Sequence, residues 1–410
     1  MARQTRTAGA APKTSASSAA TAAQSRKLIR SRDTAVFVVV VFGLIVFGFV
    51  MAYSSAFTTA IDWDTTITAM MRNQILSIVL GVAIAIALWR LVPMRFLAGN
   101  FAYVLWVIGF LLNVLTILVG TEEYGATRWL DLRFIKVQPS EIMKIILIIA
   151  AAKILSDYRR GELPLKQTLI MFLVAMGLPL GVILIGQSDF GTTLICAIGI
   201  LAVMLLGGVS WKLIVPILGI GAVGAVVAVF GTSYRMDRVN VWLNPWIDPY
   251  GDGYQMIHSY YALAEGGFFG VGLGQSHEKF QYLPFAYNDF IFAVIGEELG
   301  MIGCLFVVLL FFALLVAGLR IAFSCESDFC KMVAGATVIV VVAEAFLNIC
   351  CVTGLLPVTG KPLPFFSMGG TVLLTTIASM GLVLAASRDS DANDLYVKRR
   401  ENLRLVTTKR

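Results

Sequence analysis

Residues Thr34–Ser55 read TAVFVVVVFGLIVFGFVMAYSS, a run without one charged side chain. At 1.5 Å per residue, a helix of about 22 residues covers the roughly 30 Å of hydrocarbon in a bilayer. Working outward from it, comparable runs recur at 73–92, 99–119, 138–156, 166–186, 190–207, 211–230, 288–318, 331–353 and 366–387. Because more apolar runs follow the first, rather than a small-residue cleavage site, the first is expected to be a retained span. The chain is therefore expected to be an all-α polytopic membrane protein with ten transmembrane helices. A composition of 58% hydrophobic and 14% charged residues agrees.

An even number of spans places both termini on one side, and Lys and Arg choose that side. With the N-terminus inside, 23 of the 32 basic residues fall in inner segments and 8 in outer ones, with Lys144 inside a span. The positive-inside bias predicts cytoplasmic termini. It also predicts that the longest polar interruption, Gly231–Tyr287, forms a large loop outside the cell.

Residues 1–33, rich in Ala, Ser and Thr, cannot bury enough apolar surface to order themselves and are expected to be a disordered cytoplasmic tail. The domain proper is expected over 34–390. A charged cytoplasmic tail over 391–410 follows, with a short interfacial or frayed helix. The net charge of +7 sits mostly in these tails, where insertion topology and anionic lipid explain it, so a nucleic-acid partner is not expected. The six cysteines fall in spans or an inner loop and imply no external disulfide framework.

With this orientation the polar strings gather at the outer face: Gly125–Ser140, Gln187–Gly191, the large loop, Asn288–Gly300 and Thr353–Gly370. An enzyme site there would open where no ATP is available. Its substrate would need its own activation, as a lipid-linked pyrophosphate has.

Ionisable residues inside spans are functional candidates by default. Glu141 and Lys144, at i and i+3 on one helix face, read either as a structural ion pair or as a phosphate-holding Lys with an orienting Glu. Asp289, at the start of the eighth span, reads either as a helix cap or as a functional carboxylate. Glu297 and Glu298 lie deeper, and a structural role is expected there, with Glu297 or Glu298 bonding to neighbouring spans. Gly219-Ile-Gly221-Ala-Val-Gly224 fits a dinucleotide pattern but lies inside an apolar span, where close helix packing explains it better. Gly270-Val-Gly272-Leu-Gly274 is expected to be a tight turn or a close backbone contact.

The strings also follow a recognisable order. They run Gly125-Ala-Thr-Arg128-Trp129-Leu, Gln138-Pro-Ser-Glu141 with Lys144, and Gln187-Ser-Asp189-Phe-Gly191-Thr. Then come Asn244-Pro245-Trp-Ile-Asp248-Pro249 with Gly251, Gly253, Tyr254 and Gln255, and Leu283-Pro284 with Asp289-Phe290-Ile-Phe292. Last are Gly296-Glu297-Glu298-Leu-Gly300, Thr353-Gly-Leu-Leu-Pro357-Val-Thr-Gly360, and Leu363-Pro364-Phe-Phe-Ser367-Met-Gly369-Gly370. Together, over about 34–390, they resemble the SEDS family, the FtsW, RodA and SpoVE polytopic proteins.

The resemblance implies a peptidoglycan glycosyltransferase that polymerises lipid II outside the bacterial cytoplasmic membrane and releases undecaprenyl pyrophosphate. It also implies a class B penicillin-binding protein and other division membrane proteins as partners. By the same resemblance, Asp289 is the general base. Lys144, Arg128 and Arg238 contact the diphosphate, and Glu141, Trp129, Gln255 and His258 bind substrate.

The chain departs from the family pattern in places. It has Tyr287-Asn288 where His-Thr is usual, Phe285 for Glu, His258 for Gln, Ser188 for Pro, Met368 for Tyr, and Lys361 at an apolar position. His258 is the candidate to tune Asp289 in place of the missing groups. The intact Gly-Glu-Glu-Leu-Gly string and the long charged tails resemble the FtsW or SpoVE branch, which implies a division role. Loop acids Asp237, Asp248, Asp252, Glu265 and Glu278 leave room for a divalent cation, Mg or Mn, bridging to pyrophosphate, whereas the only histidines, His258 and His277, lack metal-ligand spacing and a zinc site is not expected. The competing readings are a flippase or transporter of the lipid-linked precursor, an elongation or sporulation member of the same family, and a non-catalytic scaffold.

Overall fold

A computed structural model describes residues 14–62, 66–123, 126–131, 136–231, 233–280 and 282–407. In chain order the helices are α1 (Thr14–Asp62), α2 (Ile67–Leu91), α3 (Met94–Leu97), α4 (Phe101–Val119), α5 (Pro139–Arg159), α6 (Leu165–Gly181) and α7 (Phe190–Leu206). They continue with α8 (Trp211–Phe230), α9 (Ser233–Leu243), α10 (Tyr254–Gly266), α11 (Ile291–Ser324), α12 (Asp328–Val352) and α13 (Gly370–Thr407). The helical backbone of α1 starts at Thr14, within the stretch expected to be an unstructured tail, and residues 1–13 of that stretch lie outside the described residues. At the other end α13 continues as helix to Thr407.

Among the described residues, eight helical stretches are long and apolar enough to cross a membrane. The two other expected spans, 138–156 and 190–207, are also helices. Charged side chains make α5 more polar, and α7 is a shorter apolar helix of 17 residues. The chain is a multi-pass membrane protein.

Burial separates the helices into an inner and an outer group. The apolar windows of α12 and α13 are 78% and 83% buried, whereas that of α8 is 6% buried. α12 packs on α7, α11 and α13, and α5 packs on α4, α7 and α12. Polar side chains on α5 and α12 are thus kept out of lipid. The close packing expected at Gly219, Gly221 and Gly224 of α8 is absent: a Cβ at any of them would meet nothing within 4 Å. These glycines face outward because α8 makes few contacts with the bundle.

A three-stranded antiparallel sheet, not anticipated in the sequence, follows α4: β1 (Thr121–Glu123), β2 (Ala126–Asp131) and β3 (Lys136–Val137), in that spatial order. The 231–287 segment folds as α9, a 3-10 turn at Pro245–Ile247, and α10. Asp248 ties the turn after it by accepting from the Gly251 and Asp252 amides at 3.0 and 3.2 Å.

α11 is broken at Gly300, whose φ of 65° and ψ of −164° interrupt its hydrogen-bond ladder. An unpaired backbone group at membrane depth costs several kcal/mol, about enough to forbid such a break unless other groups replace the lost partners. The stretch after α10 replaces them. Val271 and Gly272 donate to the carbonyls of Glu297 and Glu298 at 2.9 and 3.0 Å, and Met301 and Ile302 donate to Gly267 and Phe268 at 3.0 and 3.3 Å. Gly270, Gly272 and Gly274 all have positive φ, as a tight turn requires, and Gly270 also makes the close backbone contact: a Cβ there would run into the Glu298 carbonyl and the Leu299 amide.

Candidate functional site

Asp289 lies in the turn before α11, not in the helix. The helix begins at Ile291 after Phe290, which makes no side-chain cap, so Asp289 is not the cap that one sequence reading allowed. Its backbone is held from three sides. Asn348 of α12 donates to the Asp289 carbonyl and to the Lys361 carbonyl, both at 2.7 Å. The Ser367 hydroxyl donates to the Asn288 carbonyl at 2.7 Å, and the Met368 amide to the Tyr287 carbonyl at 3.1 Å. Gln255 of α10 donates to Pro284 O at 3.0 Å. The Leu-Pro-Phe-Phe-Ser string and Gln255 thus act on the turn that carries Asp289.

The Asp289 side chain, by contrast, is uncommitted. Oδ1 is buried without a hydrogen-bond partner. Burial raises its pKa, and the charges of Arg238, Lys361 and Arg128 pull it back, leaving it at about 6. A Cβ placed on Gly360, whose φ is 67°, would sit 3.4 Å from Asp289 Oδ2 and 3.8 Å from Arg238 Nη1. A small space lined by one carboxylate and one guanidinium therefore opens against the Gly360 backbone.

Arg238 projects from α9 with Nη1 donating to Val358 O at 2.7 Å. It also lines a cleft with Asp237, Asp252, Gln255 and Trp242. Arg128 on β2 is fixed by bonds to the carbonyls of Gln187 at 3.2 Å and Ser188 at 2.8 Å. Trp129, the next residue on the strand, is half-buried and takes the opposite face.

Behind these residues runs a buried ionic chain. Lys144 Nζ lies 2.8 Å from Glu141 and 2.6 Å from Glu344 of α12, and it is 3% exposed. Lys361 Nζ is 3.4 Å from the other Glu141 oxygen and 3.3 Å from Asp189, and it also donates to the Thr192 hydroxyl. Asp189 caps α7 through the Thr192 amide at 2.9 Å and accepts from Gln138 at 3.2 Å. Burial would raise the Asp189 pKa, but Lys361, Arg128 and the Thr192 bonds bring it down to about 2. The sequence marked Glu141, Lys144 and the odd Lys361. It gave no sign that Glu344 completes the chain, or that Asn348 fixes the turn.

The structure does not place Lys144 at the open side of the site, because two carboxylates enclose its ammonium. Nor does it bring His258 to Asp289. His258 Nδ1 pairs with Glu278 Oε2 at 2.6 Å and its ring lies 4.1 Å from that of Tyr254, so it is not among the charges acting on Asp289. The loop acids do not converge either. Asp237 and Asp252 line the cleft, Asp248 ties its own turn, and Glu265 groups with Glu278. Of the deeper carboxylates, Glu298 bonds to a neighbouring span as expected, accepting from Ser54 of α1 at 2.7 Å, and also pairs with Lys279 at 2.6 Å; Glu297 instead bonds to Ser276, in the segment after α10, at 2.5 Å.

Comparison with known proteins places this arrangement. The family described as cell cycle protein, with FtsW, RodA and SpoVE as its namesakes, matches residues 34–392. The chain is 35% identical over 350 residues to a probable peptidoglycan glycosyltransferase FtsW of Synechocystis sp., covering 85% of this chain and 88% of that one. It is 36% identical over 359 residues to the stage V sporulation protein E of Bacillus subtilis, covering 86% and 96%. A chain of a peptidoglycan synthase complex coordinating polymerization and crosslinking superposes with a TM-score of 0.71 at 27% identity, covering 86% of this chain and 97% of that one. The crystal structure of the rod shape determining protein RodA of Thermus thermophilus gives 0.62 at 26%, covering 86% and 96%. A match over nearly the whole bundle, in sequence and in fold, shows that this chain belongs to the FtsW, RodA and SpoVE family of cell cycle proteins.

Proposed function

We propose that the chain is a peptidoglycan glycosyltransferase that polymerises lipid II at the outer face of the bacterial cytoplasmic membrane during cell division. In this reading it crosses the membrane ten times, with both termini cytoplasmic. The observation that carries it is the unpartnered Oδ1 of a half-buried Asp289, beside Arg238 and near Arg128. A carboxyl with a pKa near 6 is ionised at neutral pH and still basic enough to take a proton. The names of the relatives support the activity.

The hydroxyl of the acceptor sugar donates to Asp289 Oδ1. As its oxygen bonds to the anomeric carbon of the donor, the bond from that carbon to the phosphate oxygen breaks. The electron pair leaves with undecaprenyl pyrophosphate, and Asp289 takes the hydroxyl proton. General-base help of this kind supplies about 10²–10⁴-fold. Arg238 and Arg128 stabilise the charge on the departing diphosphate, and their bonds to fixed carbonyls orient them before substrate arrives. Trp129, Gln255 and the cleft beside Arg238 bind the saccharide.

Lys144 is a positioning residue: it sets Glu141, which with Asp189 holds Lys361 behind the catalytic turn. A class B penicillin-binding protein, and other membrane proteins of the division complex, are the expected partners. Purified protein given lipid II in detergent tests the activity, because flipping has no meaning without a bilayer. Wild type is expected to make polymer and Asp289→Asn none, at equal expression. Polymer from Asp289→Asn at the wild-type rate refutes the assignment.

A further inference from the structure

α10 and the segment after it bring together a second group of side chains, apart from those acting on Asp289. Donor atoms of Glu265, His277 and Glu278 all lie within 4.8 Å of one another. Glu278 is 4% exposed, whereas Glu265 and His277 reach solvent. On its buried side Glu278 Oε2 faces His258 Nδ1 at 2.6 Å. Beneath, Glu297 Oε1 accepts from the Glu278 amide at 3.1 Å and from the His277 amide, adding a third carboxylate. Among the described residues no Lys or Arg pairs with Glu265 or Glu278. The neighbouring cation, Lys279, is turned to Glu298 at 2.6 Å. Carboxylates are thus gathered here with no Lys or Arg paired to Glu265 or Glu278, His258 facing Glu278 from behind and the His277 imidazole reaching solvent.

We propose that Glu265, His277 and Glu278 form a three-ligand site for a first-row transition dication, zinc by preference, with His258 orienting Glu278 from behind. A mixed imidazole and carboxylate set suits zinc better than magnesium or calcium, which take oxygen ligands. Three protein ligands leave the fourth tetrahedral position to water. His258 donating through Nδ1 to Oε2 leaves Oε1 for the ion, the arrangement in which an outer group orders a ligand. Tetrahedral zinc with bonds of about 2.0 Å needs donors about 3.3 Å apart. Rotation of the exposed Glu265 and His277 side chains supplies that contraction. The ion ties α10 to residues 276–279, which anchor the broken helix α11 through Glu297 and Glu298. The site does not depend on the transferase reading.

The test uses full-length protein in detergent, stripped of metal by chelator and then titrated with zinc against a competing chromophoric chelator. Wild type is expected to take one zinc per chain. His277→Ala and Glu265→Gln should each weaken it more than tenfold, with size-exclusion profiles unchanged and no displacement by millimolar magnesium. X-ray absorption of the zinc-loaded wild type, which needs no variant, should show a nitrogen and oxygen shell with one imidazole. Wild-type protein that takes up no zinc, variants that bind it as wild type does, or a shell without imidazole overturns the proposal.

Discussion

Replacing Arg238 by Gln should move the acid limb of the pH–activity profile upward. A base works only when ionised, so polymerisation should rise with pH through the Asp289 pKa, about 6. Of the cations that lower that value, Arg238 acts most strongly. Its Nη1 and Asp289 Oδ2 lie 3.8 and 3.4 Å from one shared point at Gly360, so the charges are no more than about 7 Å apart. Two unit charges about 7 Å apart at an effective dielectric of about 20 interact by about 2.4 kcal/mol. That is about 1.7 pH units at about 1.36 kcal/mol per unit, and screening at a half-exposed site brings it to about one. The limb should therefore move to about pH 7 in Arg238→Gln, on top of any fall in the plateau from weaker diphosphate binding. The assay is the initial rate of polymer formation from lipid II in detergent across pH 5–9, at lipid II well below saturation so that the limb reports the free enzyme, to which that pKa belongs. An unshifted limb, at whatever plateau, would show that Arg238 does not act on the group that titrates, and the base assignment would lose its electrostatic support.

Two further substitutions probe the surroundings. Gly360→Ala should fold, because its Cβ makes only ordinary contacts. A left-handed backbone costs a non-glycine residue about 1–2 kcal/mol, and the methyl occupies the space between carboxylate and guanidinium, so activity should fall at least tenfold; wild-type turnover would contradict the placement of substrate there. Lys144→Ala leaves Glu141 and Glu344 buried without their shared cation, a loss of about 3–5 kcal/mol. It should lower the thermal unfolding temperature in detergent, and adding Glu344→Gln should restore part of it. An unchanged unfolding temperature would mean that the ionic chain is not structural.

The lipid-crossing character of the chain was legible because hydrocarbon imposes length and apolarity on each segment separately, as Thr34–Ser55 shows. The glycines at 270, 272 and 274 were legible too, since a turn that takes positive φ at all three, with a close backbone approach at Gly270, excludes side chains there. Lateral neighbours were not. Periodicity gives the depth of Lys144 but not that α12 brings Glu344 to it from 200 residues away. Gly219, Gly221 and Gly224 read as packing surface, yet the composition of α8 holds no record of which helices stand beside it. His258 looked able to serve Asp289, being the lone imidazole substitution in the region. Its partner is instead decided by how α10 lies on the segment ending in Glu278.

The break in α11 bears on how the chain enters the membrane. The half before Gly300 exposes carbonyls that the half after it cannot satisfy, and the amides that do satisfy them belong to Val271 and Gly272. Those residues precede α11 in the chain, so they are already made when α11 arrives at the insertion machinery. The fractured helix can then meet its matching amides as soon as it forms, and need not stay in lipid with its polar edge bare.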